Sequence, residues 1–219
     1  MLKSLKELIR YRALVAALVT RYVSMRYRGS ALGFIWTFLN PLCLMLVYTV
    51  VFHFYMRATS VENYTLFLFC GLLPWIWVSS ALHEGVSSLV ASGHLITKSL
   101  FPAHILPLVS VLSTGVNFIL SLVLLAAFLI FSNVGLHLTL LFLPFLILIQ
   151  GIFLFGLSLA LSTLNVKFRD VQHLVTNILT FLFFLCPIVY PVSAVPQKFR
   201  FTIDLNPISS FTVAYHSLV

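Results

Sequence analysis

Residues 104–131 read HILPLVSVLSTGVNFILSLVLLAAFLIF, a stretch with no Asp, Glu, Lys or Arg. A helix needs roughly 20 apolar residues to cross a hydrocarbon core about 30 Å thick. This run is long enough, so it predicts a membrane-spanning helix. Beyond His104 its polar residues are Ser110, Ser113, Thr114, Asn117 and Ser121, and these fall on one helical face. Small and hydroxyl side chains on one face allow close helix packing and hydrogen bonding in lipid.

Similar runs lie on both sides. Spans are predicted at about 31–56, 64–82, 138–164 and 172–190, which with 104–131 makes five in a single domain covering 1–219. Asn40-Pro41 predicts a kink in the first, because proline removes a helix hydrogen bond. Residues 192–219 hold Pro196 and Asn206-Pro207 and read as short broken helices that need not span. The fold class is therefore all-α, a polytopic transmembrane helix bundle. Composition agrees: 61% of residues are hydrophobic and 8% charged, against about 25% charged in a soluble domain.

The first 30 residues differ. Leu2, Leu5, Leu8 and Ile9 keep helical spacing among Lys3, Lys6, Glu7 and Arg10, and Tyr11, Tyr22 and Tyr27 interleave with arginines. Aromatic tips and long basic side chains favour the headgroup layer, so an amphipathic interfacial helix is expected. The short apolar run from Ala13 to Val19 is followed by Arg21, Arg26 and Arg28, which does not fit a secretory signal peptide. With the N-terminus inside, inner segments carry ten Lys/Arg and outer segments three. This places the N-terminus in the cytoplasm. It also assigns the net charge of +8 to membrane flanks and lipid contact rather than to nucleic acid.

Enzyme motifs are missing from the sequence. No GxxxxGK[ST] loop occurs, His83-Glu84 lacks a second histidine at metalloprotease spacing, and the seven histidines form no metal-ligand pattern. Cys43, Cys70 and Cys186 sit in apolar runs and read as small buried residues. No predicted span carries a charge in its interior, which disfavours ion-coupled carriers and charged-filter channels. Any cargo must meet neutral polar and aromatic groups. Phe34, Phe38, Met45, Tyr48, Phe52 and Tyr55 form a stripe on the first span, and Phe183, Pro187 and Tyr190 repeat the spacing on the fifth. Such rings stack on the C–H faces of sugars, or else serve lipid contact and helix packing. Gly29/Gly33, Gly156/Ala160 and Ser158/Ser162 have the four-residue spacing of helix contacts. The less apolar segment 83–103, with Glu84, His94 and Lys98, separates two spans on the inner side, as a docking helix for a soluble partner or a solvated loop.

Five motifs in order resemble one family. They are Arg26-Tyr-Arg-Gly-Ser-Ala-Leu-Gly-Phe-Ile-Trp36 with Asn40-Pro41; Leu95-Ile-Thr-Lys98 with Phe101-Pro102 and Ile105-Leu-Pro107; Asn165 to Asp170; Pro187-Ile-Val-Tyr190; and Leu205-Asn-Pro-Ile208. Together the sequence resembles the ABC-2 type polysaccharide-export permeases. The resemblance implies a homodimer paired with two copies of a separate ATPase that binds ATP and Mg, no cofactor on this chain, and a lipid-linked polysaccharide cargo such as O antigen. It implies a bacterial inner-membrane location and a re-entrant segment 192–208. It assigns Phe34, Phe38, Tyr48, Phe52, Tyr55, Phe183 and Tyr190 to the pathway, and Arg26, Arg28, Glu84, His94, Lys98, Arg169 and Asp170 to ATPase coupling. Members usually continue through a final span, so the sequence is expected to be a fragment. The rival readings are export of a drug or smaller lipid, and a membrane scaffold that moves nothing.

Overall fold

The computed structural model describes residues 10–55, 63–93, 102–131 and 138–218. Among these it is all helical, with no strand. The helices are α1 (Arg12–Tyr27), α2 (Trp36–Tyr48), α3 (Tyr64–Ala91), α4 (Ile105–Phe131), α5 (Leu143–Lys167), α6 (Val171–Leu185), α7 (Phe201–Asp204) and α8 (Pro207–His216). Four helical stretches are long and apolar enough to cross a membrane: Gly33–Tyr55, Tyr64–Ala91, Ile105–Phe131 and Leu138–Lys167. The chain is a multi-pass membrane protein.

α3 is the central helix. Its 28 residues extend about 42 Å at 1.5 Å per residue. Leu68, Phe69, Leu73, Val78 and Ala81 are sealed from every side, while α2, α4, α5, α6 and α8 pack around it. The helix runs through His83, Glu84, Ser87 and Ser88, so residues 83–91 continue the second span and are not a separate connection. Apolar character ends near Leu82, but no proline interrupts the backbone there, and the helix continues. Residues 94–101, with His94 and Lys98, lie outside the described residues, as do 56–62 and 132–137.

Polar rungs from α5 fix its register on α3. Gln150 Nε2 donates to the Pro74 carbonyl at 3.3 Å, Ser158 Oγ to Ala81 at 3.5 Å and Asn165 Nδ2 to Val86 at 3.1 Å. The donors sit seven or eight residues apart, on one face of α5, and climb α3 in parallel. Gly85 permits this contact, because a Cβ there would lie 2.5 Å from Ser158 Oγ. Ser158 and Ser162 are buried as the sequence spacing predicts, whereas Gly156 and Ala160 face outward.

The Gly29/Gly33 pair also departs from its packing reading. Both have positive φ, +83° and +48°, and a Cβ at either would meet nothing within 4 Å. They are turn residues, ending α1 and redirecting the chain into the first span. α2 then contains Pro41, whose missing N–H leaves the Thr37 carbonyl without its helical donor. Ser121 of α4 offers its hydroxyl there at 3.4 Å, sharing it with Asn117 O at 2.9 Å. Beyond Tyr48 the winding widens to π-helical over Thr49–Tyr55.

α6 is 15 residues long, or about 22 Å, shorter than the predicted span. Pro187 ends it by forcing Cys186 into an extended conformation, with ψ 143°. The following turns bring Val189 to the start of α3, where Tyr64 donates its hydroxyl to the Val189 carbonyl at 2.9 Å. Asn206-Pro207 is a helix start: the Asn206 side chain caps Ile208 N–H at 3.0 Å and proline takes the first helical position. α8 then lies across α3, with His216 stacked on Phe67 at 4.0 Å over Gly71.

Candidate functional site

Two concave features lie along the first span. The larger in volume, about 350 Å³, is a groove between α2, α3 and α6. Its aromatic wall is built by Tyr48 of α2, Trp75 of α3 and Phe183 and Phe184 of α6. Tyr48 stacks on Phe183 at 5.3 Å and touches Phe52 at 6.2 Å, while Trp75 meets Phe183 at 5.7 Å. Its other end carries Ser79, His83, Thr176 and Thr180. Among the described residues, no Asp, Glu, Lys or Arg lines it. A volume of this size falls in the range of roughly 300–1,000 Å³ that small-molecule sites occupy.

The groove gathers only part of the sequence-predicted aromatic stripe. Tyr48 and Phe183 line it and Phe52 sits beside Tyr48, while Tyr190 lies past the end of α6, its hydroxyl donating to the Phe184 carbonyl at 2.9 Å. Phe34 and Phe38 form a separate ring cluster with Tyr27, the Phe34 centroid lying 5.6 Å from each of the other two. Tyr55 is 78% exposed. The wide turn explains its departure. An α-helix returns residue i+7 to the same face, but i→i+5 winding at roughly 4.4 residues per turn carries it to the opposite one.

The second feature is a cavity of about 300 Å³ at the junction of α1 with the first span. Thr37 donates to the Tyr27 hydroxyl at 2.6 Å, and Tyr27 donates on to Asn117 Oδ1 at 3.0 Å. Arg26 pairs with Glu84 beside them. These contacts tie α1 to α2, α3 and α4 at one point. Tyr22 OH reaches Ser92 Oγ at 3.3 Å, and Leu18 packs against Ile105 and Val109, so α1 lies along this end of the bundle. Asn165 meets Val86, which puts the exposed Phe168-Arg169-Asp170 turn at the same end. Arg28 is exposed there after α1. Of the coupling residues expected from sequence, Arg26 and Glu84 touch each other.

The match to known proteins runs the length of this architecture. A family model described as ABC-2 type transporter matches residues 13–218. The chain belongs to the ABC-2 type transporter family. Its relatives include the O-antigen export system permease protein RfbA of Myxococcus xanthus, 40% identical over all of this chain and 84% of the relative. A protein of the same name from Klebsiella pneumoniae is 33% identical over 94% of this chain and 79% of its own. The polysialic acid transport protein KpsM of Escherichia coli is 24% identical over 89% and 76%. As a member of the ABC-2 family, the chain is the membrane component of a transporter.

Sequence reasoning missed Trp75, Ser79 and His83 as one row, and Thr176 and Thr180 as another. The signal was their four-residue spacing. It is hidden because apolar character ends at Leu82 and because rings dominate the pattern of α6. The spacing of Asn117 points to packing alone, whereas its amide oxygen also joins the Tyr27 hub.

Proposed function

We propose that this chain is the permease subunit of an ATP-driven exporter of a lipid-linked polysaccharide, O antigen, across the bacterial inner membrane. The observation that carries the reading is the charge-free groove of rings and hydroxyls where the first span meets α6. A neutral sugar polymer needs C–H stacking and exchangeable hydrogen bonds, and it needs no deep charged well. The names of the relatives, O-antigen export and polysialic acid transport, support the same cargo class.

Two copies of the permease pair along their α2 and α6 faces, where Leu46, Val47, Phe181 and Leu185 are left uncovered in one copy. A separate nucleotide-binding subunit supplies ATP hydrolysis with Mg. It docks on the cytoplasmic end formed by α1, the end of α3 and the Arg169-Asp170 turn. Its motion reaches the first span through Arg26–Glu84 and the Tyr27 hub. The N-terminus is cytoplasmic, and membrane lipids surround the remaining apolar faces. Affinity purification of tagged permease from its host tests this. An ATPase subunit should co-purify in equal amount, and ATP hydrolysis by the complex should rise with added polymer. A permease that purifies with no ATPase contradicts the proposal.

A further inference from the structure

We infer that the His83 end of the groove is a subsite for a neutral sugar ring of the cargo, reading its hydroxyl hydrogens, and that it excludes the phosphate of the lipid carrier. The inference rests on the polysaccharide reading above.

The end is built by two facing rows. On α3, Trp75, Ser79 and His83 follow one another at four-residue steps; on α6, Thr176, Thr180 and Phe184 do the same. His83 Nε2 meets Thr176 Oγ1 at 3.2 Å, so the rows run antiparallel, polar end to polar end and ring to ring.

At the His83 end, the polar hydrogens of Ser79, His83, Thr176 and Thr180 each have a protein acceptor. Ser79 donates to Ile76 O at 3.1 Å, and Thr180 to Thr176 O at 3.1 Å. Thr176 has Gln172 O at 2.9 Å or His83 Nε2. The Ser79 carbonyl, 2.8 Å from His83 Nδ1, can only accept, so Nδ1 carries the hydrogen and Nε2 keeps its lone pair in the neutral ring. What these four side chains offer the groove is an array of acceptors. A phosphate diester brings acceptors too and, with His83 in its neutral form, finds no free donor among these four side chains. A pyranose brings several O–H donors and an apolar ring face for Tyr48 and Phe184.

The test uses the permease–ATPase complex in nanodiscs, with oligosaccharide released by mild acid from the host's own polymer as the probe. Saturation-transfer NMR should show ring-proton signals that millimolar inorganic pyrophosphate leaves unchanged. The near-isosteric pair Thr176→Val/Thr180→Val removes two acceptor oxygens and should weaken binding about tenfold or more. His83→Ala is the second variant and should act in the same direction. Normal binding in both variants overturns the inference, and so does displacement by pyrophosphate. Surface polymer in a permease deletion strain separates this from the underlying reading. If deletion abolishes the polymer while the variants bind normally, only the subsite falls; if the polymer persists, the polysaccharide reading falls with it.

Discussion

Gly85→Ala tests the α3–α5 contact on which the groove's back wall depends. The new methyl would sit 2.5 Å from Ser158 Oγ and 2.7 Å from Ser158 Cβ. Rotating the hydroxyl relieves the first overlap but not the second, since Cβ is fixed by the backbone. The helices must therefore move apart by something under 1 Å. Overpacking of this kind costs about 1–3 kcal/mol. The Ser158–Ala81 bond at 3.5 Å would be lost and Asn165–Val86 at 3.1 Å stretched, at about 0.6 kcal/mol each in membrane proteins. The sum is about 2–4 kcal/mol, or roughly 5–15 °C in melting temperature for a chain of this size. Fluorescence-detected thermal unfolding of the purified permease measures it. Ser158→Gly in the same chain deletes the colliding atoms and leaves Ser158 Cα, 3.6 Å away, at ordinary contact distance. The double variant should regain at least half of the loss. An unchanged melting temperature in Gly85→Ala, or no recovery in the double variant, would refute the packing argument.

Other consequences are equally specific. Arg26→Glu should lower ATP-driven export several-fold by setting like charges against each other, and the swap Arg26→Glu/Glu84→Arg should recover much of it; export assays on the three strains decide, and a swap no better than the single variant removes the pair from coupling. Ser121→Ala should cost about 1 kcal/mol in wild type and little in a Pro41→Ala background, where the restored N–H satisfies the Thr37 carbonyl; additive effects in a double-mutant cycle would contradict this. Gly29→Ala should destabilise by about 1–2 kcal/mol through backbone strain alone, because the site has open space for the methyl; a neutral result in thermal unfolding would show that the turn relaxes.

The sequence made the helical class and the packing face of α4 plain, because lipid demands long apolar helices and buries their small polar residues against neighbours. Ser110, Ser113, Thr114 and Ser121 are all buried as their spacing required. Spacing could not tell a helix-contact glycine from a turn glycine, so Gly29 and Gly33 looked like packing until their φ angles were visible. Hydropathy located the end of apolar character at Leu82 but not the end of the helix at Ala91, and that hid His83 in a connection. The aromatic stripe assumed a constant period. The π-helical turn after Tyr48 keeps Phe52 beside it and turns Tyr55 away. The pairing of Thr176 with His83 links residues far apart in sequence, which periodicity within one helix cannot reveal.

The central claim is that cargo passes along the groove between the first span and α6. Surface polymer on intact cells, compared with polymer released on lysis, measures it in a permease-deleted strain carrying Tyr48→Ala, Thr180→Val or the outward-facing control Leu148→Ala. The account predicts polymer at the surface for wild type and the control, and polymer retained inside for both groove variants at equal permease levels. Surface polymer at wild-type levels in both groove variants would contradict it.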